Sequence, residues 1–243
     1  MDQLLDLLRF PSISTDSRHR EDVERCAEWL AARMSEGGLD GAVHFTSGHP
    51  VVIGKNEHRE GRPDVLVYGH YDVQPVDPLE LWDTPPFEPA VKDGKIWARG
   101  ATDNKGQFFA HLCGILETIE EHGDLPVNLT MVLEGEEEIG SPNLERFMDA
   151  YPDAFSSDVM VLTDCENPST EVPGLTVSLR GLMELELHCD ALAADVHSGL
   201  WGGMVPDVSL ALVQLIHRLI DADGRMMVGR VEVDAARKAA GWD

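Results

Sequence analysis

Positive charge is what this sequence has least of. Nineteen Lys and Arg, only five of them lysines, stand against 44 Asp and Glu, for a formal net charge of −25. Nucleic acid and anionic membrane surfaces are gripped by clustered Lys and Arg, so neither is an expected partner. Cysteine is scarce as well. Cys26, Cys113, Cys165 and Cys189 are scattered without paired spacing, which argues against a disulfide framework and for reduced thiols in a cytoplasmic protein. No apolar run approaches the roughly 20 residues that span a bilayer. The opening MDQLLDLLRFPSIS lacks the basic start, apolar core and small-residue cleavage site of a signal peptide. Several catalytic signatures are missing too: there is no HExxH, no GxSxG elbow and no GxGxxG. Gly48 to Lys55 has the look of a phosphate loop, but with the wrong spacing and Asn56 where Ser or Thr belongs.

What is present is an ordinary globular pattern with too many acids. Hydrophobic residues make up 43% and charged residues 26%, and a chain of this length can bury a sizeable core. Val23, Cys26, Ala27, Leu30, Ala31 and Met34 recur at intervals of three and four, which predicts a helix over 17–36 with one buried stripe. Gly37-Gly38 stops it. AVHF and VVIGK read as short strands. DVLVYGH (64–70), NLTMVLEG (128–135) and DVMVLTD (158–164) read as buried strands of a parallel sheet. Helices are expected at about 104–122 and 142–150, and 71–99, rich in Pro and Gly, as a long structured loop. Strands alternating with helices predict an α/β domain with a mostly parallel sheet flanked by helices.

After Pro173-Gly174 the pattern changes. LTVSLRGLMELELHCD alternates like an antiparallel strand with one wet face, and a helix carrying Leu210, Leu212, Val213, Leu215, Ile216 and Leu219 follows. This reads as the start of a second, α+β domain, with the division at 1–181 and 182–243. One strand and one helix cannot complete a sheet, so the chain reads as truncated.

The chemistry sits where the strand runs end. DVLVYGH ends at His70 with Asp72 two positions on, NLTMVLEG runs into Glu136-Glu137-Glu138, and DVMVLTD ends at Asp164. Sites in open parallel sheets form beyond the carboxyl ends of the strands. Asp103, in ARGATDNKG, lies just before a helix. Singly, each has a plainer reading: a rim histidine, a solvated acidic face, a helix cap. Together they form a nitrogen and oxygen ligand set suited to zinc, with cobalt or manganese as alternatives. His70, Asp103, Glu138 and Asp164 carry too much charge for one neutral pocket and suit two divalent ions sharing a bridge. Asp72 fits the orienting of an imidazole, and Glu137 fits a general base.

GHYDVQPVDPLELWDTPPFEPAVKDGKIWARGATDNKGQ resembles, nearly end to end, the signature of the dinuclear zinc metallopeptidases. That family includes cytosolic nonspecific dipeptidases, carnosinases, acetylornithine deacetylase and succinyl-diaminopimelate desuccinylase. LEGEEEIGS, SLRG and DVHSGLWGG match its later blocks in order, and WDTPPFEP and HSGLWGG look most like the dipeptidase branch. The resemblance implies two Zn2+ per site, with His70 and Asp164 on the first, Asp103 bridging both and Glu138 on the second. It implies Glu137 as the base acting on a metal-bridged water, Asp72 as the orienting acid, and His197 as a residue that reaches the active site of a dimer mate through the lid domain. A structural role for His197 on a surface loop stays open beside that. The implied activity is hydrolysis of dipeptides or similar small peptides. The alternatives are an N-acyl amino acid deacylase with the same metals and a metal-binding fragment without activity.

Two departures stand out. Asn104 replaces the Asp common after the bridging Asp. The second zinc also draws on a late His in the family, and none in this sequence matches it, His188 and His217 coming too early.

Overall fold

A computed structural model describes residues 1–162, 164–179, 181–182 and 186–219. The chain divides into two compact units, Met1–Val177 and Ser178–Asp243. The first contains α1 (Asp2–Leu8), α2 (Arg20–Glu36), β1 (Asp40–His44), β2 (Val51–Lys55), β3 (Asp64–His70), β4 (Ala90–Lys92), β5 (Lys95–Trp97), α3 (Lys105–His122), β6 (Asn128–Glu134), α4 (Leu144–Ala150), α5 (Pro152–Phe155) and β7 (Val159–Leu162).

Five strands form one sheet in the order β1-β2-β6-β3-β7. β3 pairs parallel with both β6 and β7, while β2 runs antiparallel to β6 and β1. Of these five strands only β2 is reversed, so the α/β, mostly parallel sheet read from the alternation is the observed one. Every residue of β6 is buried, which is why its sequence is apolar on both faces. On one face Leu129, Met131 and Leu133 join Val67 and the inward sides of α1, α2 and α3 in the main core. On the other face Val132, Leu66 and Ile53 pack with Phe147 of α4 and Ala154 of α5.

The stripe predicted for α2 is the buried one, residue for residue, although the helix proper starts at Arg20 after a 3-10 turn at Ser17–His19. Its end is set by Gly38, whose φ of 95° only glycine adopts without strain. Gly38 N–H donates to Ser35 O at 3.2 Å and Leu39 N–H to Met34 O at 3.0 Å, the paired bonds of a Schellman cap.

Three expectations need correction. Residues 71–99 are not all loop: β4 and β5 form a hairpin across Asp93-Gly94, a dipeptide suited to a two-residue turn. β7 is half exposed at Val159, Met160 and Leu162, because it lies at the edge of the described sheet and pairs with β3 alone. The described parts of 175–190 carry no strand. A strand needs a neighbour for its N–H and C=O groups, and the described residues there supply none. Arg180 and residues 183–185 of that run, Thr163, and everything after 219 lie outside the described residues. The second unit does contain α6 (Ser198–Trp201) and α7 (Val208–Leu219). Leu210, Val213, Leu215 and Ile216 of α7 are exposed. Among the described residues no helix is long and apolar enough to cross a membrane.

Candidate metal centre

Strand register carries the ligand-type residues to one edge. Tyr68 of β3 lies beside Val132 of β6 and Leu162 of β7. Two positions further in the same direction come His70, Glu134 and Asp164. Asp103 arrives from the turn before α3. That turn is tight enough that a Cβ on Gly106 would stand 2.1 Å from Ala101 O, so only glycine fits there. Asn104, next to Asp103 across a cis peptide, is buried and accepts His70 N–H through Oδ1 at 3.2 Å. The replacement noted in the sequence therefore tethers the backbone of β3.

His70 is at the centre, its side chain 1% exposed. Nδ1 lies 3.1 Å from Asp72 O and 3.4 Å from Asp72 Oδ1, so the ring proton belongs on that side. Nε2 then turns a lone pair toward Asp103 Oδ1 at 3.2 Å, Asp164 Oδ2 at 3.7 Å and Glu137 Oε2 at 3.8 Å. It is buried and makes no hydrogen bond. A bare nitrogen facing three carboxylates is repulsive unless a cation or proton lies between them. The protonation tendencies agree. Burial works against a charged His70, yet Asp72, Glu137 and Asp164 outweigh it and raise the ring to about 9. Partial burial, and then neighbouring carboxylates, push Glu137, Glu138 and Asp164 up against the pull of His70.

His70, Asp103 and Asp164 offer ligand atoms all within 4.8 Å of one another, and so do His70, Glu137 and Glu138. Divalent zinc suits such a nitrogen and oxygen set, and the unpartnered Nε2 is the atom it would satisfy. The structure thus brings together Asp72, Asp103, Glu137, Glu138 and Asp164 around His70. His197 belongs to the second unit, where its exposed ring caps α6, Nδ1 accepting Gly199 N–H at 3.0 Å.

Asp72 has more to do than the sequence suggests. It is fully buried, and besides facing His70 it accepts Glu137 N–H on Oδ1 at 3.2 Å and Glu138 N–H on Oδ2 at 3.1 Å. One carboxylate thereby sets the imidazole and the 3-10 turn Glu137–Ile139 together. Gln74 donates from Nε2 to Glu138 Oε2 at 2.7 Å. Its signal was in the sequence: His70, Asp72 and Gln74 alternate within GHYDVQP. Glu136 and Glu134 face elsewhere. Glu136 is buried and accepts His49 N–H at 2.8 Å and both nitrogens of Asn143. Glu134 accepts from Ser141 Oγ at 2.8 Å and from Tyr68 Oη, and burial followed by the Glu134 charge holds the Tyr68 phenol well above its usual range.

The model of peptidase family M20/M25/M40 matches residues 66–240, which include all six of these residues. The chain belongs to that family. It is 35% identical over 243 residues to a cysteinylglycine-S-conjugate dipeptidase of Corynebacterium striatum, covering 99% of this chain and 53% of that protein. It is 35% identical over 230 residues to the human Beta-Ala-His dipeptidase, covering 92% and 43%. Among solved structures it is similar to an M20 family metallo-carboxypeptidase from Sulfolobus solfataricus, at a TM-score of 0.75 and 28% identity over 100% of this chain and 59% of that one. A di-peptidase from Saccharomyces cerevisiae gives 0.73 and 26% over 99% and 58%. The chain spans about half the length of the curated relatives it matches.

Proposed function

We propose that this chain supplies most of the metal-binding half of a dinuclear zinc dipeptidase that hydrolyses the amide bond of dipeptides or similar small peptides. The observation that carries the reading is His70 Nε2, buried without a hydrogen bond among three carboxylates. His70 and Asp164 would hold the first ion, Asp103 would be shared by both, and Glu138 would serve the second. Cobalt or manganese fit the same donors. Bound there, such ions polarise a carbonyl and make water more acidic.

The chain's own groups do the rest. Asp72 fixes the ring of His70 and the turn bearing Glu137 and Glu138. Glu137 takes the proton of the attacking water and passes it to the departing amine, and a carboxyl raised by burial suits that exchange. The names of the relatives support a dipeptide substrate over an N-acyl amino acid. The second ion draws on a late His in the family, and no His follows His217 here. We place the protein in the cytoplasm on its four free thiols, pairing as a homodimer through the lid domain, with His197 reaching the partner's site.

Turnover of Cys-Gly and β-Ala-His beside N-acetyl amino acids, with zinc and with chelator, tests the reading. Zinc-dependent cleavage of the dipeptides, lost in Glu137→Gln with metal uptake intact, is expected. Preference for the acetylated set would move the assignment to a deacylase. Zinc uptake with no turnover of either set would leave a binding fragment.

A further inference from the structure

We propose that Gln74 is a positioning residue for the second metal position: it occupies one oxygen of Glu138 so that the carboxylate presents the other as a single-oxygen ligand. The inference rests on the metal reading above and concerns a residue that reading does not use.

The two oxygens of Glu138 are unlike. Oε2 accepts from Gln74 Nε2 at 2.7 Å. Oε1 is buried and has no hydrogen-bond partner. An ionised carboxylate has acceptor capacity on both oxygens, and Glu138 offers one of its two within 4.8 Å of ligand atoms of His70 and Glu137; the buried, bare Oε1 is the one with capacity to spend on a cation. The backbone of Glu138 is held separately, its N–H donating to Asp72 Oδ2 at 3.1 Å. The residue is therefore fixed at two points, its backbone by Asp72 and one carboxylate oxygen by Gln74.

Gln74 is exposed, but its anchor is not free to drift. Val73 is fully buried, bridges Ile13, and donates its N–H to Ser12 O at 2.9 Å. The chemistry of the side chain also fits the task. A neutral amide orients a carboxylate without competing for it, whereas a Lys would neutralise the ligand and a Glu would repel it.

Cobalt titration of the full chain, followed by calorimetry and visible absorption, tests this with Gln74→Leu, which keeps the bulk and loses the donor. The affinity for the second cobalt is expected to fall about 10-fold or more, as when a group orienting a ligand is removed. Its absorption band should shift as Glu138 rotates, while the first cobalt binds within about two-fold of the parent and the metal-free melting temperature stays put. Unchanged affinity and spectrum for the second ion would overturn the proposal. So would an equal fall for both ions accompanied by lower melting, which marks a structural role. A parent chain that takes up fewer than two cobalt ions would fail differently, by overturning the metal-pair reading beneath it.

Discussion

Replacing Asp72 by Asn removes one charge and one acceptor from the most connected side chain of the site. In the parent, the two oxygens accept Glu137 N–H and Glu138 N–H, and Oδ1 also faces His70 Nδ1 at 3.4 Å. An amide keeps one acceptor and sets an NH2 against the other N–H. Hydrogen bonds to a charged group contribute about 1.5–3 kcal/mol each, so the turn bearing Glu137 and Glu138 loosens by about that much. A second effect opposes it in the metal-free protein, since removing one carboxylate relieves repulsion with Glu137 and Glu138. Metal-free stability should therefore change by no more than about 2 kcal/mol. Zinc affinity has no such offset, because the Asp72 charge favours the cation and its geometry aims the ligands. A loss of about 10–100-fold is expected, as for other groups that orient metal ligands. Isothermal calorimetry against a competing chelator reads the affinity, and urea unfolding reads the stability. Zinc affinity within two-fold of the parent would refute the reasoning, whatever happens to stability.

Other outcomes follow from the same geometry. The ordinary 6.5 of an imidazole is raised to about 9 in folded His70. Stability from its proton is thus present below about 6.5 and lost as pH rises through about 9, by at most about 3 kcal/mol. Urea midpoints in chelator should fall across that window, and saturating zinc should flatten the fall. Leu30, fully buried in the main core, should cost about 2–5 kcal/mol on change to Ala, lowering the melting temperature without altering zinc stoichiometry. Gly38→Ala forces a Cβ into a left-handed conformation, with Ile119 Cγ2 only 3.1 Å away. It should lower stability by about 1–2 kcal/mol and leave zinc affinity alone.

Much of the layout was legible because it depends on periodicity. The α2 stripe from Val23 to Met34 and the apolar runs ending at His70 and Glu134 follow from spacings of 3.6 and 2 residues that the backbone imposes. The gathering of His70 and Asp164 was legible for a related reason, since parallel strands must end at a common edge; Asp103 joins them from the turn before α3. What was not legible depends on direction within irregular backbone. Glu136, Glu137 and Glu138 are adjacent in sequence, yet Glu136 turns to His49 and Asn143 while the other two turn to His70. The second task of Asp72 joins residues 65 and 66 positions apart, and no local pattern announces it. The exposure of β7 was misread because a run such as VMVL does not say whether its strand is central or at an edge.

His70, Asp103 and Asp164 are proposed to close around a divalent ion. Anomalous diffraction at the zinc edge from zinc-soaked crystals of this chain tests this most directly. An ion bonded to His70 Nε2 and to carboxylate oxygens of Asp103 and Asp164 is expected. Full-occupancy zinc elsewhere on the chain, with His70 Nε2 bonded to protein or water alone, would contradict it.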